Sequence, residues 1–122
     1  MRPEVTARLK QLESTLTTIE KVMDPEALAA RIRELEAQAG DPSLWDDPVH
    51  AQKVTSELSA AQAKVRKLEA LRGRLEDMPV MYELAEEEGD SSLADEELDS
   101  LESAIESLEA VSYTHLRAHE TS

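Results

Sequence analysis

The sequence predicts an all-α fold: an elongated antiparallel bundle of three to four helices with coiled-coil-like packing. Leucine and other aliphatic residues recur at spacings of three and four through most of the 122 residues, the period of an amphipathic helix. Charged residues reach 33 %, while aromatic residues are 2 % and Phe is absent. That composition suits slender helices with large solvated faces and a core of Leu, Val, Ile, Ala and Met. Prolines fall where helices start or break and not inside alternating segments, so no strand is expected.

The first helix is expected over 3–23, where Val5, Leu9, Leu12, Leu16, Ile19 and Met23 form a heptad-like stripe. Asp24-Pro25 then marks a break. Asp can cap the next helix, and Pro costs nothing at a first position whose N–H has no intrahelical partner. Leu28, Ile32, Leu35 and Ala39 continue the pattern, and Gly40 is expected to close that helix in the left-handed conformation. Residues 40–47 read as a loop.

Asp47-Pro48 repeats the cap-then-proline signal and opens the longest predicted helix, to about Met78, with a stripe of Ala51, Val54, Leu58, Ala61, Val65, Leu68, Leu71 or Arg72, and Leu75. At 1.5 Å per residue a helix of ~30 residues spans ~45 Å and needs a partner alongside. Pro79 is expected to interrupt it. Val80, Met81, Leu84 and Ala85 suggest a short helix ending near Glu88-Gly89-Asp90. After the turn at 90–92, Leu98, Leu101, Ile105, Leu108 and Val111 mark a last helix. Short loops make sequential helices antiparallel neighbours.

Residues 112–122 break the pattern: the acid bias stops, the stripe dissolves, and His115 and His119 appear. The stretch resembles translated adapter sequence and is read as a non-native tail following a domain of residues 1–111.

Charge is unevenly placed. Residues 1–78 hold 14 acids and 12 bases, whereas 79–122 hold 13 acids and one base, Arg117. Between Glu83 and Glu109 there are 12 acids and no base, so that segment repels phosphate and no direct nucleic-acid contact is expected from it. The ordinary alternative is a solvated helix face. There are no cysteines, which excludes a disulfide framework or thiolate metal site and is compatible with the cytoplasm. No apolar run approaches the ~20 residues of a membrane span, and nothing at Met1-Arg2-Pro3-Glu4 opens a signal peptide.

Catalysis needs a nucleophile, a base and an orienting group. Ser14, Ser43, Ser56, Ser59, Ser91 and Ser92 sit in polar or capping contexts without a nearby His. His50, close to Asp46 and Asp47, reads as a surface residue near a helix start. His115 and His119 have metal-ligand spacing but lie in the suspect tail without the Glu of a zincin motif. Gly40, Gly73 and Gly89 are isolated, so no phosphate loop forms. No catalytic, cofactor or metal residue is assigned. Trp45, the sole Trp, is expected to fold back and plug the end of the bundle, with an exposed anchor for a partner protein as the other reading.

The stretch Asp41-Pro42-Ser43-Leu44-Trp45-Asp46-Asp47-Pro48, then Ala51-Gln52-Lys53-Val54 and Glu57-Leu58-Ser59, resembles the N-terminal domain of bacterial class I peptide-chain release factors. Trp followed by acids and Ala-Gln is similar to the UGA/UAA-reading branch. Leu75-Glu76-Asp77-Met78 and Glu83-Leu84-Ala85-Glu86-Glu87-Glu88-Gly89-Asp90 continue the likeness, in an alanine-rich, acidic style that looks actinobacterial. The resemblance covers about residues 1–111. It implies a helical docking domain that lies near the GTPase-associated region of the large ribosomal subunit and engages the recycling GTPase of termination. It also implies a full protein that reads stop codons through a Ser-Pro-Phe-type tripeptide and promotes peptidyl-tRNA hydrolysis through a Gly-Gly-Gln loop. Neither motif occurs in these 122 residues, so this chain is expected to be a fragment without enzyme activity. The competing reading is a stand-alone coiled-coil or helical-bundle interaction protein.

Overall fold

Every element of the computed structural model, which describes residues 1–121 with side chains for 1–112, is helical or a turn. In order these are α1 (Pro3–Met23), α2 (Pro25–Ala39), a 3-10 turn (Pro42–Asp46), α3 (Pro48–Glu88) and α4 (Ser92–Thr121). The chain divides into two units, one of residues 1–22 and 70–122, the other of residues 23–69. No strand occurs among the described residues, in keeping with the all-α expectation.

The first unit is a three-helix bundle of α1, the C-terminal part of α3, and α4. Its core is aliphatic: Val5, Leu12, Leu16 and Ile19 from α1, Leu71, Leu75 and Met78 from α3, and Leu98, Leu101, Ile105 and Leu108 from α4 are all buried. Val111, expected in the stripe, is exposed.

Ion pairs at the rim fix the directions of the helices. Arg72 of α3 reaches Glu13 at 2.5 Å and also Glu20 and Thr17 of α1. The Met1 amine pairs with Glu86. Low numbers on α1 therefore meet high numbers on α3, and the two run antiparallel. Arg74 donates to Glu97 at 2.8 Å and Ser100 at 3.1 Å, and the Tyr82 hydroxyl donates to Asp95 at 2.7 Å, which makes α3 and α4 antiparallel as well. Arg2 to Asp95 at 2.6 Å and Arg8 to Asp99 and Glu102 at 2.9 and 3.2 Å show that α1 and α4 run parallel. The pairing of Arg72 with Glu20 first, then Glu13, pushes its already high pKa further up.

The second unit is a helical hairpin of α2 and the first part of α3, closed by the 3-10 turn. Leu35, Leu44, Ala51 and Val54 form its buried cluster, with Ala39 and Leu58 half-buried against it. Arg31 of α2 grips both oxygens of Glu57 on α3, at 2.9 and 3.0 Å.

The expected caps are present. Asp24 accepts from the Ala27 N–H at 3.2 Å, and Asp47 accepts from the His50 N–H at 3.2 Å, each with Pro next in sequence. Asp24 itself takes φ 50°, a left-handed conformation that Asp tolerates better than most residues. Gly89, at φ 72°, ends α3, and the Asp90 N–H reaches back to the Ala85 carbonyl at 3.2 Å. That is the six-residue closure of a Schellman turn, in which glycine is favoured because it has no Cβ.

Three expectations fail. Pro79 does not interrupt α3, which runs unbroken for 41 residues. A helix-interior proline costs ~3 kcal/mol, since it removes one hydrogen bond and its ring crowds the carbonyl of Leu75. The apolar stripe passes it in phase: Leu71, Leu75, Met78, Tyr82 and Ala85 are all buried, while the ring of Pro79 faces solvent. Keeping Leu75, Met78 and Tyr82 buried in one continuous stripe, at ~1.5–3 kcal/mol for each large side chain, outweighs that cost. The short helix expected at 80–88 is thus the end of α3, with Tyr82 and not Val80 or Leu84 on its inner face.

Trp45 does not plug the bundle. Its indole is 63 % exposed, and its neighbour Leu44 fills the site at 7 %. In the tight 3-10 turn, consecutive side chains diverge by ~120°, so only one of the pair can point inward. Gly40 does not adopt the left-handed conformation: it sits at φ −84° and its N–H bonds to the Glu36 carbonyl at 3.0 Å. The turn at Asp41-Pro42 redirects the chain instead.

Three measurements check this account. Pro79→Ala restores the missing donor at an exposed site and should raise unfolding stability by about 1–3 kcal/mol in a denaturant titration. Trp45→Ala should shift stability by less than ~0.5 kcal/mol, and Trp45 fluorescence should show no blue shift in the native state. Burial, followed by the bond to Asp95, pushes the Tyr82 phenol up to about 12 from 10.0. The folded state holds a proton that the unfolded chain loses near 10.0, so this contribution is intact below that pH and fades as pH rises towards 12. Tyr82→Phe should unfold at lower denaturant at pH 7 and should show a smaller loss of stability than the parent between pH 10 and 12.

Candidate functional site

No catalytic constellation is assembled among the described residues. The serines considered from sequence are used locally. The Ser43 hydroxyl donates to Asp41 at 2.9 Å, Ser92 to Asp90 at 2.6 Å, and Ser91 to Asp95 at 3.1 Å, while the Ser14 carbonyl accepts from Thr18. Ser56 and Ser59 lie on an exposed face of α3. His50 is exposed one turn into the same helix. These groups are not brought together. No group of three or more His, Asp or Glu suited to a metal ion occurs among the described residues. The His115–His119 pair lies outside the described side chains.

Perturbed carboxylates are explained by capping. The Ser43 backbone N–H and then its hydroxyl hold Asp41 below the usual carboxylate range, and the Ser92 hydroxyl and then its backbone N–H do the same for Asp90. Asp95 is lowered chiefly by the Tyr82 hydroxyl, with Ser91 and Arg2 adding to it. Hydrogen bonds to the ionised form have this sign. A cleft of about 210 Å³ lies beside that network, lined in part by Tyr82, Gly89 and Asp90. It brings no nucleophile and base together.

The molecule therefore offers surfaces and not a reaction centre. The acid-rich run divides into two sets. Asp95, Glu97, Asp99 and Glu102 are tied to Arg2, Arg74 and Arg8 inside the first unit. Glu83, Glu87, Glu96 and Glu106 are exposed and form no ion pair among the described residues. Sequence counting gave the total charge of this run, but not which carboxylates are internally neutralised. The signal was available in the arginines that flank the apolar stripes, at positions 8, 72 and 74. A second surface, the exposed lysines of α3 in the second unit, was not singled out from sequence at all. No helix among the described residues is long and apolar enough to cross a membrane.

The comparisons with known proteins follow this architecture. The PCRF domain family matches residues 28–121. Peptide chain release factor 2 of Corynebacterium aurimucosum is 73 % identical over 112 residues, covering 89 % of this chain and 30 % of that protein. Peptide chain release factor 2 of Corynebacterium glutamicum is 64 % identical over 110 residues, with the same shares. Peptide chain release factor 2 of Rhodococcus jostii is 58 % identical over 95 residues, covering 78 % of this chain and 26 % of that protein. This chain thus spans about 30 % of the length of the curated relatives it matches. With helices where the sequence pattern requires them and a family match extending from α2 to the end of α4, the chain belongs to the PCRF domain family.

Proposed function

We propose that this chain is the N-terminal helical docking domain of a release factor that acts in translation termination at UGA and UAA codons. The observation that carries this reading is the 73 % identity to a peptide chain release factor 2 over 112 residues. In the whole factor, codon reading and peptidyl-tRNA hydrolysis belong to segments bearing Ser-Pro-Phe and Gly-Gly-Gln, and this sequence contains neither. The domain's partners are the ribosome, at the GTPase-associated region of its large subunit, and the recycling GTPase of termination. The site of action is the cytoplasm.

The exposed carboxylates supply a physical role for the first unit. Glu83, Glu87, Glu96 and Glu106 cannot grip ribosomal RNA, but they steer the domain towards a basic protein surface. Steering of this kind accelerates encounter at low salt and fades as the Debye length falls to ~8 Å at physiological ionic strength.

Two outcomes are expected. In a peptide-release assay on UGA-programmed ribosomes, this chain alone releases nothing above background, and release by it would remove the docking-domain reading. In the complete factor, Glu87→Lys, Glu96→Lys and Glu106→Lys combined should slow ribosome association by roughly tenfold or more at low salt and converge with the parent at high salt. An association rate that is unchanged at low salt would remove the steering role.

A further inference from the structure

We propose that the outward face of α3 in the second unit, carrying Lys53, Lys64 and Lys67, binds the phosphate backbone of a structured RNA. At 100° per residue these three lysines fall within about 60° of one another on the helix circumference, along roughly 21 Å of its length. All three are exposed. Between them lie Ser56, Ala60 and Ala63, also exposed, whose short side chains let a backbone approach closely. The core-facing side of the same stretch is occupied by Ala51, Val54, Ala61 and Leu68.

The charge on this face is not spent inside the protein. In the first unit Arg2, Arg8, Arg72 and Arg74 are each held by carboxylates. In the second, Arg31 is held by Glu34 and Glu57. Lys64 and Lys67 have no hydrogen bond or ion pair among the described residues, and Lys53 has only through-space attraction to Glu57, which Arg31 already occupies. Of the two acids of α3 before residue 70, Glu69 lies on the far side of the helix from the three lysines, and Glu57 borders their sector about 20° beyond Lys64, where Arg31 holds it. A chain with 27 acids and 13 bases thus presents on this face three lysines whose single flanking acid, Glu57, is already held by Arg31. Lysine is a hydrated point charge that pairs with phosphate without demanding a planar partner, and Ser56 adds a hydroxyl of the kind that bonds phosphate oxygens. The choice of RNA over DNA rests on the termination reading above; the phosphate chemistry does not.

Three phosphate contacts predict a salt slope of about −2.7, which is on the order of a 40-fold loss of affinity between 50 and 200 mM salt. The excess of acids elsewhere weakens the absolute affinity, so the test must tolerate a dissociation constant near ~10⁻⁴ M. Amide resonances of the intact chain are followed as a 20-base-pair RNA hairpin is added at 50 mM KCl. The expected result is shifts concentrated in residues 49–67 that vanish at 200 mM. Lys53→Glu with Lys64→Glu should weaken binding at least tenfold, and the corresponding Gln pair should fall between it and the parent. Lys10→Glu with Lys21→Glu changes net charge by the same amount on exposed sites of α1 and should retain binding.

Absence of shifts at millimolar RNA overturns the proposal, as does an equal loss in both Glu pairs or shifts centred elsewhere. Equal shifts with polyglutamate of matched charge would reduce the face to a general polyanion contact and also overturn it, and tighter binding of a DNA hairpin would overturn the RNA assignment. Peptide release by the complete factor is read in a separate assay, so failure of this contact and failure of the docking-domain reading are distinguishable.

Discussion

The constraint on which the molecule depends is the narrowness of its apolar stripes. With no Phe, one exposed Trp and, among the described residues, no buried polar or charged side chain, the described core is built from aliphatic side chains, Met78 and Tyr82. Each is modest in area, so stability has to come from many contacts repeated along the length of each helix. This explains why α3 is continuous. A break at Pro79 would have separated Leu75 and Met78 from Tyr82 and Ala85, all four of which are buried in the first unit. One lost hydrogen bond is the smaller sacrifice.

The parts of the fold that could be read from sequence are those determined by local chemistry. Asp24-Pro25 and Asp47-Pro48 act as caps because an Asp oxygen and a proline lacking N–H suit a helix start whatever surrounds them. The stripes of α1 and α4 follow from spacing alone. The misreadings share a different cause: at Pro79, Trp45 and Gly40 a local preference was outweighed by, or never informed about, tertiary packing. Proline's aversion to helix interiors gave way to stripe phase. The preference of a large indole for burial gave way to turn geometry that placed Leu44 inward. Glycine's freedom at position 40 was not used, since its φ of −84° suits any residue.

The candidate surfaces were legible to a lesser degree. Counting charges located the acid-rich run, but pairing decides which carboxylates face outward with their charge intact. Arg8 neutralises Asp99 and Glu102 from a helix some ninety residues earlier in sequence, and no local pattern encodes such a partner. The basic face of α3 was hidden for the opposite reason. Its lysines are diluted by alanine and serine in the linear sequence and become neighbours only when wound at 3.6 residues per turn.

The arginine pairs have a consequence for register. A core of interchangeable leucines and isoleucines accepts a slip of one helical turn almost as readily as the native alignment, because each knob finds a similar hole three or four residues along. The rim does not. Sliding α4 by one turn along α3 would separate Arg74 from Glu97 and Tyr82 from Asp95, and would carry Asp99 and Glu102 past Arg8. Exposed ion pairs contribute little to overall stability, yet here they act as a vernier. They mark one alignment among several of nearly equal burial, and so let a repetitive interior settle into a single structure.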